Sequence, residues 1–330
     1  MQKRKMGPDG PEVSAIGIGA MSFAGVYGET DEPEAHRLLD AALDMGIDQI
    51  DTANVYGMGV SETMIGNWIA KRGANPYFIA TKASISKDAE GNRCFDNSAA
   101  HLEAELDQSL KRLNVDCVDL FYAHRRDPRI EIEEATENLA RLVKAGKAKS
   151  IGFSEIAPSS LRRAAAVHPV AAVQSEYSLA TRYPELGLIQ ECARQGAAMV
   201  AFSPVCRGLL ADYRMDRSDV EKSWFLQSAP RFQAPNFEAN LAATDGFRAL
   251  AADMGVPTAG LAMAWLLAKG EAVVPIPGTR TVDHLSELAA GGSLTLDAEA
   301  MARIEEVLPA GWAHGDRYSV QQWVGPERYC

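Results

Sequence analysis

Four ionisable side chains that could act together in proton transfer lie in one short motif and at the ends of two later apolar runs. Asp51 and Tyr56 belong to the motif D-T-A-N-V-Y-G, Lys82 ends one run and His124 ends the other. A tyrosine is a poor acid at neutral pH, because its ordinary pKa is about 10. A lysine ammonium nearby would lower that pKa, a carboxylate would keep the amine charged, and an imidazole could hold a carbonyl oxygen as charge develops there. Each residue alone is explained by packing, capping or surface charge, but together and in this order they predict one catalytic site.

Alternating strands and helices would bring these four residues together. Short apolar runs alternate along the chain with longer helical patterns. The candidate strands span 15–18, 48–51, 78–81, 119–123, 150–153, 171–174, 199–202 and 272–275. The candidate helices span 33–45, 61–70, 99–113, 132–145, 159–167, 184–195, 245–254, 258–269 and 281–290. Such alternation implies parallel pairing, and eight units favour closure into a single (β/α)8 TIM barrel, residues 1–330, whose catalytic residues lie at the C-terminal strand ends.

Three segments stand outside the repeating units. Residues 3–6 and 12–15 flank the turn-forming cluster Gly7-Pro8-Asp9-Gly10, which predicts an N-terminal hairpin. The stretch 203–243 is predicted to be a long irregular loop after the seventh strand, and the tail after Leu308 is too aromatic to be a simple solvated end. The expected helix N-caps are Asp31, Ser61 and Ser159.

Composition limits the possible partners and compartments. The 330 residues are 47% hydrophobic and 23% charged, with a net charge of −11, which argues against duplex DNA or an acidic membrane as a partner. We found neither the roughly 18 apolar residues of a membrane span nor the apolar run of a signal peptide. The five scattered cysteines favour free thiols in a reducing cytoplasm over a disulfide framework or zinc site, and no clustered ligand set predicts a metal.

The motifs resemble those of the aldo-keto reductase superfamily over essentially the full length. The resemblance rests on D-T-A-x-x-Y-G, the following G-V-S-E at 59–62, T-K at 81–82 and Y-A-H-R at 122–125. It is greatest to the bacterial and plant branch with pyridoxal-reductase and auxin-induced type members. It implies a TIM barrel that reduces aldehydes or ketones with NADPH, with Tyr56 as general acid, Lys82 and Asp51 tuning it, and His124 orienting the carbonyl.

The same resemblance implies where the nicotinamide cofactor lies, across the barrel mouth. Ser154 and Gln174 would hold the carboxamide, and Phe202 would stack on the nicotinamide ring. The other implied cofactor positions are Gly19, Ala20, Met21, Asp51, Ser203, Pro204, Gly278, Thr279, Arg280, His284, Glu287 and Leu288. Of these, His284 is also explained as an ordinary solvated helix residue.

The segment Ile276-Pro277-Gly278-Thr279-Arg280 has features of a phosphate site on its own residues. It follows the eighth predicted strand and opens a helix, whose N-terminal amides attract phosphate. Arg280 adds a charged fork, so we expect the 2′-phosphate of NADPH there. A helix cap with an exposed arginine is the alternative.

The substrate and the direction of reaction stay open. Met21, Phe23, Trp224 and Arg125 are the candidate substrate contacts. Arg125 is either a polar contact for substrate hydroxyl or carboxylate groups, or the partner of Asp127 or another acid in a salt bridge at the rim. The alternatives to a carbonyl reductase are an NADPH-holding accessory or redox-sensing subunit with low turnover, and a dehydrogenase that works in the oxidative direction. The sequence does not specify the oligomeric state.

Overall fold

A closed ring of eight parallel strands forms the centre of the structure. The computed structural model describes residues 1–88 and 90–329. Two short strands form an N-terminal hairpin, β1 (Lys3–Lys5) and β2 (Glu12–Ser14). The ring strands are β3 (Ile18–Gly19), β4 (Gln49–Asp51), β5 (Phe78–Ala83), β8 (Leu120–Ala123), β9 (Ile151–Ser154), β10 (Val170–Glu176), β11 (Ala198–Phe202) and β12 (Val273–Pro275). A second hairpin pairs β6 (Ile85–Lys87) with β7 (Arg93–Phe95).

The ring strands pair in chain order, and backbone hydrogen bonds close the circle. Neighbouring strands follow the order β12-β11-β10-β9-β8-β5-β4-β3. At the seam, the N–H of Gly17 donates to the carbonyl of Pro275 and the N–H of Gly19 to that of Pro277, each at 2.9 Å. All eight strands are parallel, so their C-terminal ends lie at one face of the barrel. The predicted TIM barrel is confirmed.

Twelve α-helices accompany the strands in the described residues. They are α1 (Glu32–Asp44), α2 (Val60–Arg72), α3 (Ala99–Leu113), α4 (Ile132–Lys144), α5 (Pro158–Ala165), α6 (Leu188–Gln195), α7 (Arg217–Glu221), α8 (Trp224–Ser228), α9 (Asn236–Asp253), α10 (Thr258–Ala268), α11 (Val282–Ala290) and α12 (Ala298–Val307). Among the described residues, no single helix is long and apolar enough to cross a membrane, and only α9 with α10, bent by 90°, would reach that length and composition as a pair.

The core has one layer between strands and helices and another inside the barrel. The inner cluster contains Tyr122 and Val200 from ring strands together with Met6 and Val13 from the hairpin segment. A side chain on Gly7 would lie 2.8 Å from the backbone of Ala171 at the start of β10, so this turn packs tightly against the N-terminal strand ends. The predicted N-terminal hairpin is present, and it closes the N-terminal end of the barrel. The C-terminal end of the barrel is left open to a ligand.

Several boundaries differ from the sequence expectation. The first ring strand lies at 18–19 instead of 15–18. Asp31 caps α1 as expected, but Ser61 and Ser159 are not N-caps. The hydroxyl of Ser61 donates to the carbonyl of Ala20 at 2.8 Å, and α2 begins earlier, after Gly59. Ser159 lies inside α5, which begins at Pro158.

The segment 203–243 is only partly irregular. It contains α7, α8 and the first two turns of α9, which begins at Asn236 and not at 245. The expectation was wrong because α7 and α8 are five residues each, too short for a periodic pattern, and are defined by caps such as Asp216 and Ser223. The β6–β7 hairpin and α12 were not anticipated either.

The four described cysteines, Cys94, Cys117, Cys192 and Cys206, are free thiols, in agreement with the expectation, while Cys330 lies outside the described residues. The described part of the chain contains no group of three or more His, Cys, Asp or Glu residues placed to hold a metal ion.

A matched pair of glycine substitutions tests the packing of the helical layer. A Cβ on Gly66 of α2 would lie 1.9 Å from the backbone oxygen of Arg112, whereas one on the exposed Gly246 of α9 would meet only a Val307 methyl at 3.2 Å. Gly66→Ala should lower the free energy of unfolding by about 1–3 kcal/mol, because backbone cannot move aside easily. Gly246→Ala should be neutral or stabilise by up to about 1 kcal/mol. Denaturant unfolding of both variants measures this, and equal stability would contradict the close α2–α3 contact.

Candidate active site

The four predicted residues converge at the C-terminal face of the barrel. Asp51 ends β4, Lys82 lies near the end of β5, and His124 follows β8 directly. Tyr56 lies on the loop after β4, which backbone hydrogen bonds from Thr52 and Asn54 hold against β5. Adjacent parallel strands thus place residues that are distant in sequence around one opening.

Lys82 is fully buried, and three oxygens surround its ammonium group. It donates to a carboxylate oxygen of Asp51, to the carbonyl of Thr52 at 2.7 Å and to the hydroxyl of Tyr56 at 3.4 Å. The other carboxylate oxygen of Asp51 accepts from the amide of Gln174 at 2.7 Å. The buried charge is therefore paired and directed at the phenol.

The pKa values follow from burial and from this pairing. Burial lowers the pKa of Lys82, but the Asp51 carboxylate raises it and the net shift is upward, so the amine keeps its proton. Burial raises the pKa of Tyr56, Lys82 lowers it, and the result stays above the ordinary value. The lysine thus acts on the phenol as expected, yet burial outweighs it and Tyr56 is protonated at neutral pH. Burial also raises the pKa of Asp51, opposed by the ammonium and by Gln174.

His124 is a neutral imidazole facing Tyr56. Burial, followed by the positive charges of Arg125 and Lys82, places the pKa of His124 well below its usual value. The rings of His124 and Tyr56 lie 5.8 Å apart, edge to face at 83°. Nδ1 is enclosed and has no hydrogen-bond partner among the described residues, so Nε2 is the nitrogen available to a ligand. A phenol and an imidazole N–H can therefore hold one carbonyl oxygen.

The predicted cofactor residues at and after the end of the first ring strand, β3, pack against those after the last, β12. Gly19 ends β3, and Ala20 and Met21 begin a short 3-10 helix. A Cβ on Gly19 would lie 2.7 Å from the carbonyl of Ile276, so only glycine allows this approach. The hydroxyl of Ser22 donates to the carbonyl of Thr279 at 2.8 Å. One side of the barrel mouth is therefore built from the segments that follow the first and the last ring strands, β3 and β12.

The middle group lies at the ends of β9, β10 and β11. The hydroxyl of Ser154 accepts from Arg125, the neighbour of His124, at 3.0 Å, and Gln174 donates to Asp51, so both predicted carboxamide contacts adjoin the four predicted catalytic residues. Phe202 ends β11 half-buried, which leaves part of its ring open to a ligand. Ser203, with φ of 51°, and Pro204 turn the chain away after it.

The last group surrounds the N-terminus of α11. Gly278 is exposed, Thr279 is buried, and Arg280 donates to the carbonyl of Glu29 at 3.0 Å. The helix begins at a Thr281 cap, and His284 on its first turn is exposed.

Glu287 and Leu288 lie further along α11. Burial and the carboxylate of Asp212 raise the pKa of the half-buried Glu287. Leu288 is 3% exposed and packs in the hydrophobic core, so its side chain offers a ligand no surface and we do not carry it into the proposed binding set.

The substrate candidates are placed differently from one another. Met21 is half-buried at the mouth, and Trp224 is 69% exposed on α8. Phe23 is 1% exposed in the core, so it cannot line a pocket, because its position in the 3-10 helix turns the ring inward. The anticipated salt bridge between Arg125 and Asp127 is wrong, since Asp127 binds Arg129 at 2.8 Å.

Sequence reasoning missed a buried ionic network beside the site. Arg317 of the C-terminal tail pairs with Glu155, the residue after Ser154, while Arg207 pairs with Glu176 at 2.8 Å. Arg231 lies 3.7 Å from the same Glu176. These contacts tie the segment after β11 and the tail across the barrel mouth. The sequence signal was the arginine content of the segment 203–243, which does not identify partners.

Comparison with known proteins agrees with this geometry. The model of the Aldo/keto reductase family matches residues 15–309. The chain belongs to the aldo/keto reductase family. It is 36% identical to the aldo-keto reductase yakc [NADP(+)] of Schizosaccharomyces pombe, over 96% of this chain and 94% of that protein. It is 35% identical to probable aldo-keto reductase 1 of Glycine max, over 96% of this chain and 92% of that protein.

Solved structures of aldo/keto reductases share the fold. The glycerol dehydrogenase AKR11B4 from Gluconobacter oxydans superposes with a TM-score of 0.80 at 28% identity, over 93% of this chain and 94% of that chain. Family membership makes the protein an oxidoreductase of a class that generally carries out NAD(P)H-dependent reduction of small carbonyl compounds.

The neutral state of His124 predicts how stability depends on pH. Its folded pKa lies well below 6.5, so its contribution is fully present above the unfolded pKa and is lost as pH falls below 6.5 towards the folded value. In His124→Gln the loss of unfolding free energy between pH 7.5 and 5.5 should be about 1 kcal/mol smaller than in wild type. The exposed His284 provides the control His284→Gln, which should keep the wild-type slope. Denaturant titrations at both pH values measure this, and identical slopes would show that His124 is not buried in its neutral form.

Proposed function

We propose that the protein reduces aldehydes or ketones to alcohols with NADPH and that Tyr56 donates the proton. The observation that carries this proposal is the contact of 3.4 Å between the Tyr56 hydroxyl and the buried Lys82 ammonium, opposite a neutral His124. A phenol with its own cation and a facing imidazole suits protonation of a developing alkoxide. Hydrolysis or metal chemistry would not call for this set.

The bound nicotinamide would supply the hydride, and the side chains handle the oxygen and the proton. Tyr56 and Nε2 of His124 hold the carbonyl oxygen. As negative charge grows on that oxygen, the Tyr56 proton would move to it and complete the alcohol. Lys82 stabilises the phenolate that remains, while Asp51 keeps Lys82 charged and in place. The raised pKa of Tyr56 ensures that the proton is present before the reaction.

The cofactor would cross the mouth from Ser154, Gln174 and Phe202 to the N-terminus of α11. The half-exposed ring of Phe202 fits a stacked nicotinamide, and α11 has nine residues, enough for an N-terminal phosphate site. The other members of the proposed set are Gly19, Ala20, Met21, Asp51, Ser203, Pro204, Gly278, Thr279, Arg280, His284 and Glu287. A preference for NADPH is supported by Arg280 beside this N-terminus and by NADP(+) in the name of the fission-yeast relative.

The same residues would serve the reverse reaction, with Tyr56 as its phenolate accepting the alcohol proton. The name of the Gluconobacter structure, a glycerol dehydrogenase, supports testing this direction. Rates of alcohol oxidation with NADP+ and of aldehyde reduction with NADPH in one preparation would compare them.

Removal of one hydroxyl tests the role of Tyr56. Tyr56→Phe should lower kcat for aldehyde reduction at least about a hundredfold, because general acid catalysis contributes 10²–10⁴. NADPH binding, followed by fluorescence, should persist. Tyr213→Phe is the control, since Tyr213 is 58% exposed and bonded to Asp219. Turnover of Tyr56→Phe close to that of the control would remove the proton donor from the mechanism.

Arg280 tests the choice of cofactor. In Arg280→Ala the Kd for NADPH should rise about tenfold to a hundredfold, since a hydrogen bond to a charged group contributes about 1.5–3 kcal/mol. The Kd for NADH, which lacks the 2′-phosphate, should change little. The control Arg141→Ala removes an exposed arginine of α4, outside the proposed binding segments. An unchanged NADPH Kd would mean that the phosphate binds elsewhere.

A further inference from the structure

Arg125 differs from the other buried arginines of the described chain in having no carboxylate partner. Four arginines are buried there, and Arg125 is 8% exposed. The other three pair with buried glutamates: Arg317 with Glu155, and Arg207 and Arg231 with Glu176. The four guanidinium groups therefore face two carboxylates, and the positive charge of Arg125 has no ion-pair partner among the described residues.

The contacts of Arg125 are with neutral oxygens. Nη1 donates to the carbonyl of His124 at 2.6 Å and to the hydroxyl of Ser154 at 3.0 Å. Nε is enclosed without a partner, and Nη2 makes no hydrogen bond within the described residues. Burying a cation without an ion pair is unfavourable unless negative charge is supplied from elsewhere. Glu155 is close enough for Arg125 to help lower the pKa of its carboxyl, but both oxygens of that carboxylate are already bonded to Arg317. The position of Arg125 beside the catalytic histidine makes a ligand the natural source of that negative charge.

A second arginine without a carboxylate partner lies close to the first. Arg93 of β7 stacks on the Phe95 ring at 5.2 Å and forms no ion pair among the described residues. Arg93 is exposed, but partial desolvation by its neighbours and the like charge of Arg125 lower its pKa. The two arginines and Lys82 also add to the effect of burial in lowering the pKa of His124. Such electrostatic effects on pKa values require the charged groups to lie close to one another. The wall beside His124 is thus positive, although the whole chain carries −11.

The C-terminal tail completes this wall. A Cβ on Gly325 would lie 2.7 Å from the Phe95 ring and 3.3 Å from Cδ of Arg125, so the tail backbone packs directly on both side chains. Tyr318 of the tail is buried, and burial raises the pKa of its phenol while Arg125 lowers it. The tail therefore brings polar but uncharged groups to Arg125, and no carboxylate oxygen within 4.0 Å of it among the described residues.

We propose that the preferred carbonyl substrates carry a carboxylate, which binds Arg125, with Arg93 attracting the same charge from the outer edge of the wall. This inference rests on the proposed carbonyl reductase function and adds the substrate class. A guanidinium fork matches a planar carboxylate, and the contact replaces the missing ion pair. The guanidinium of Arg125 is bonded to the His124 carbonyl and is close enough to affect the pKa of both His124 and Tyr56. We therefore expect the carbonyl and the carboxylate of the substrate to be separated by a short spacer, such as one aromatic ring.

A matched substrate pair tests the charge alone. 4-Carboxybenzaldehyde and its methyl ester, methyl 4-formylbenzoate, share the aldehyde, the ring and the para position. In wild type, kcat/KM should be at least about tenfold higher for the acid than for the ester, mainly because KM is lower for the acid. This preference should become smaller at high salt, which screens the charge. In Arg125→Gln the ratio of kcat/KM for the acid to that for the ester should fall to within about threefold of one. In Arg93→Gln this ratio should lie between that of Arg125→Gln and that of wild type. Arg141→Gln, remote from the site in sequence and exposed on α4, should keep the wild-type ratio.

A binding measurement covers the case in which Arg125→Gln does not fold. Calorimetry of the wild-type protein with NADPH should show binding of benzoate but not of benzamide at equal concentration, and Arg93→Gln should weaken benzoate. Equal kcat/KM for acid and ester in wild type, or equal binding of benzoate and benzamide, would overturn the anion site while leaving the reductase intact. Failure to reduce either aldehyde, with selective benzoate binding preserved, would instead refute the proposed function.

Discussion

The ammonium group of Lys82 is the interaction on which the rest of the site depends. A cation with no solvent exposure must be surrounded by oxygens, and the barrel provides them from β4 and its loop: Asp51, the Thr52 carbonyl and Tyr56. This requirement determines the position of the phenol, because the loop after β4 must fold back over β5. Gln174, four ring positions away at β10, holds the second oxygen of Asp51 and so links opposite parts of the barrel.

A second set of buried charges organises the entrance. Glu155 and Glu176 end neighbouring strands and bind arginines from the segment after β11 and from the tail. The segment after β11 contains only short helices before α9, and the tail has no regular helix or strand among its described residues. The ion pairs, together with cation–π contacts such as Arg317 over Tyr318 at 4.6 Å, hold both segments in place. The site is thus walled by chain far from the catalytic residues in sequence.

Buried arginines with and without a glutamate partner have different roles at this entrance. Where an arginine meets a glutamate, the pair fixes a segment, and no ligand is needed. The guanidinium of Arg125 donates hydrogen bonds only to the His124 carbonyl and the Ser154 hydroxyl among the described residues, and this is the basis for the proposed anion site. Arg125 and Arg317 are both buried at the mouth, but only Arg317 forms an ion pair among the described residues. This difference in pairing, and not the number of charges, points to a ligand site at Arg125.

The strand ends and the tetrad were predictable, since apolar runs closed by polar residues have a simple meaning in a parallel barrel. The eight runs appear as strands, and Asp51, Tyr56, Lys82 and His124 meet around one opening. The sequence could not identify α7 and α8, because five-residue helices carry no measurable period. Nor could it show that Phe23 and Leu288 face the core, since one residue in a helix points inward or outward according to its neighbours.

The sequence by itself determined the fold class, the chemical groups of the candidate active site and their order along the chain. These follow from local hydrophobic patterns and from residue types, which need no knowledge of distant partners. Only the tertiary structure decided that burial keeps Tyr56 protonated despite Lys82, that Arg317 binds Glu155, and that Arg125 forms no ion pair with any carboxylate among the described residues. Burial and pairing are properties of three-dimensional neighbourhoods, and in this protein those neighbours are often more than a hundred residues apart, as Glu155 and Arg317 are.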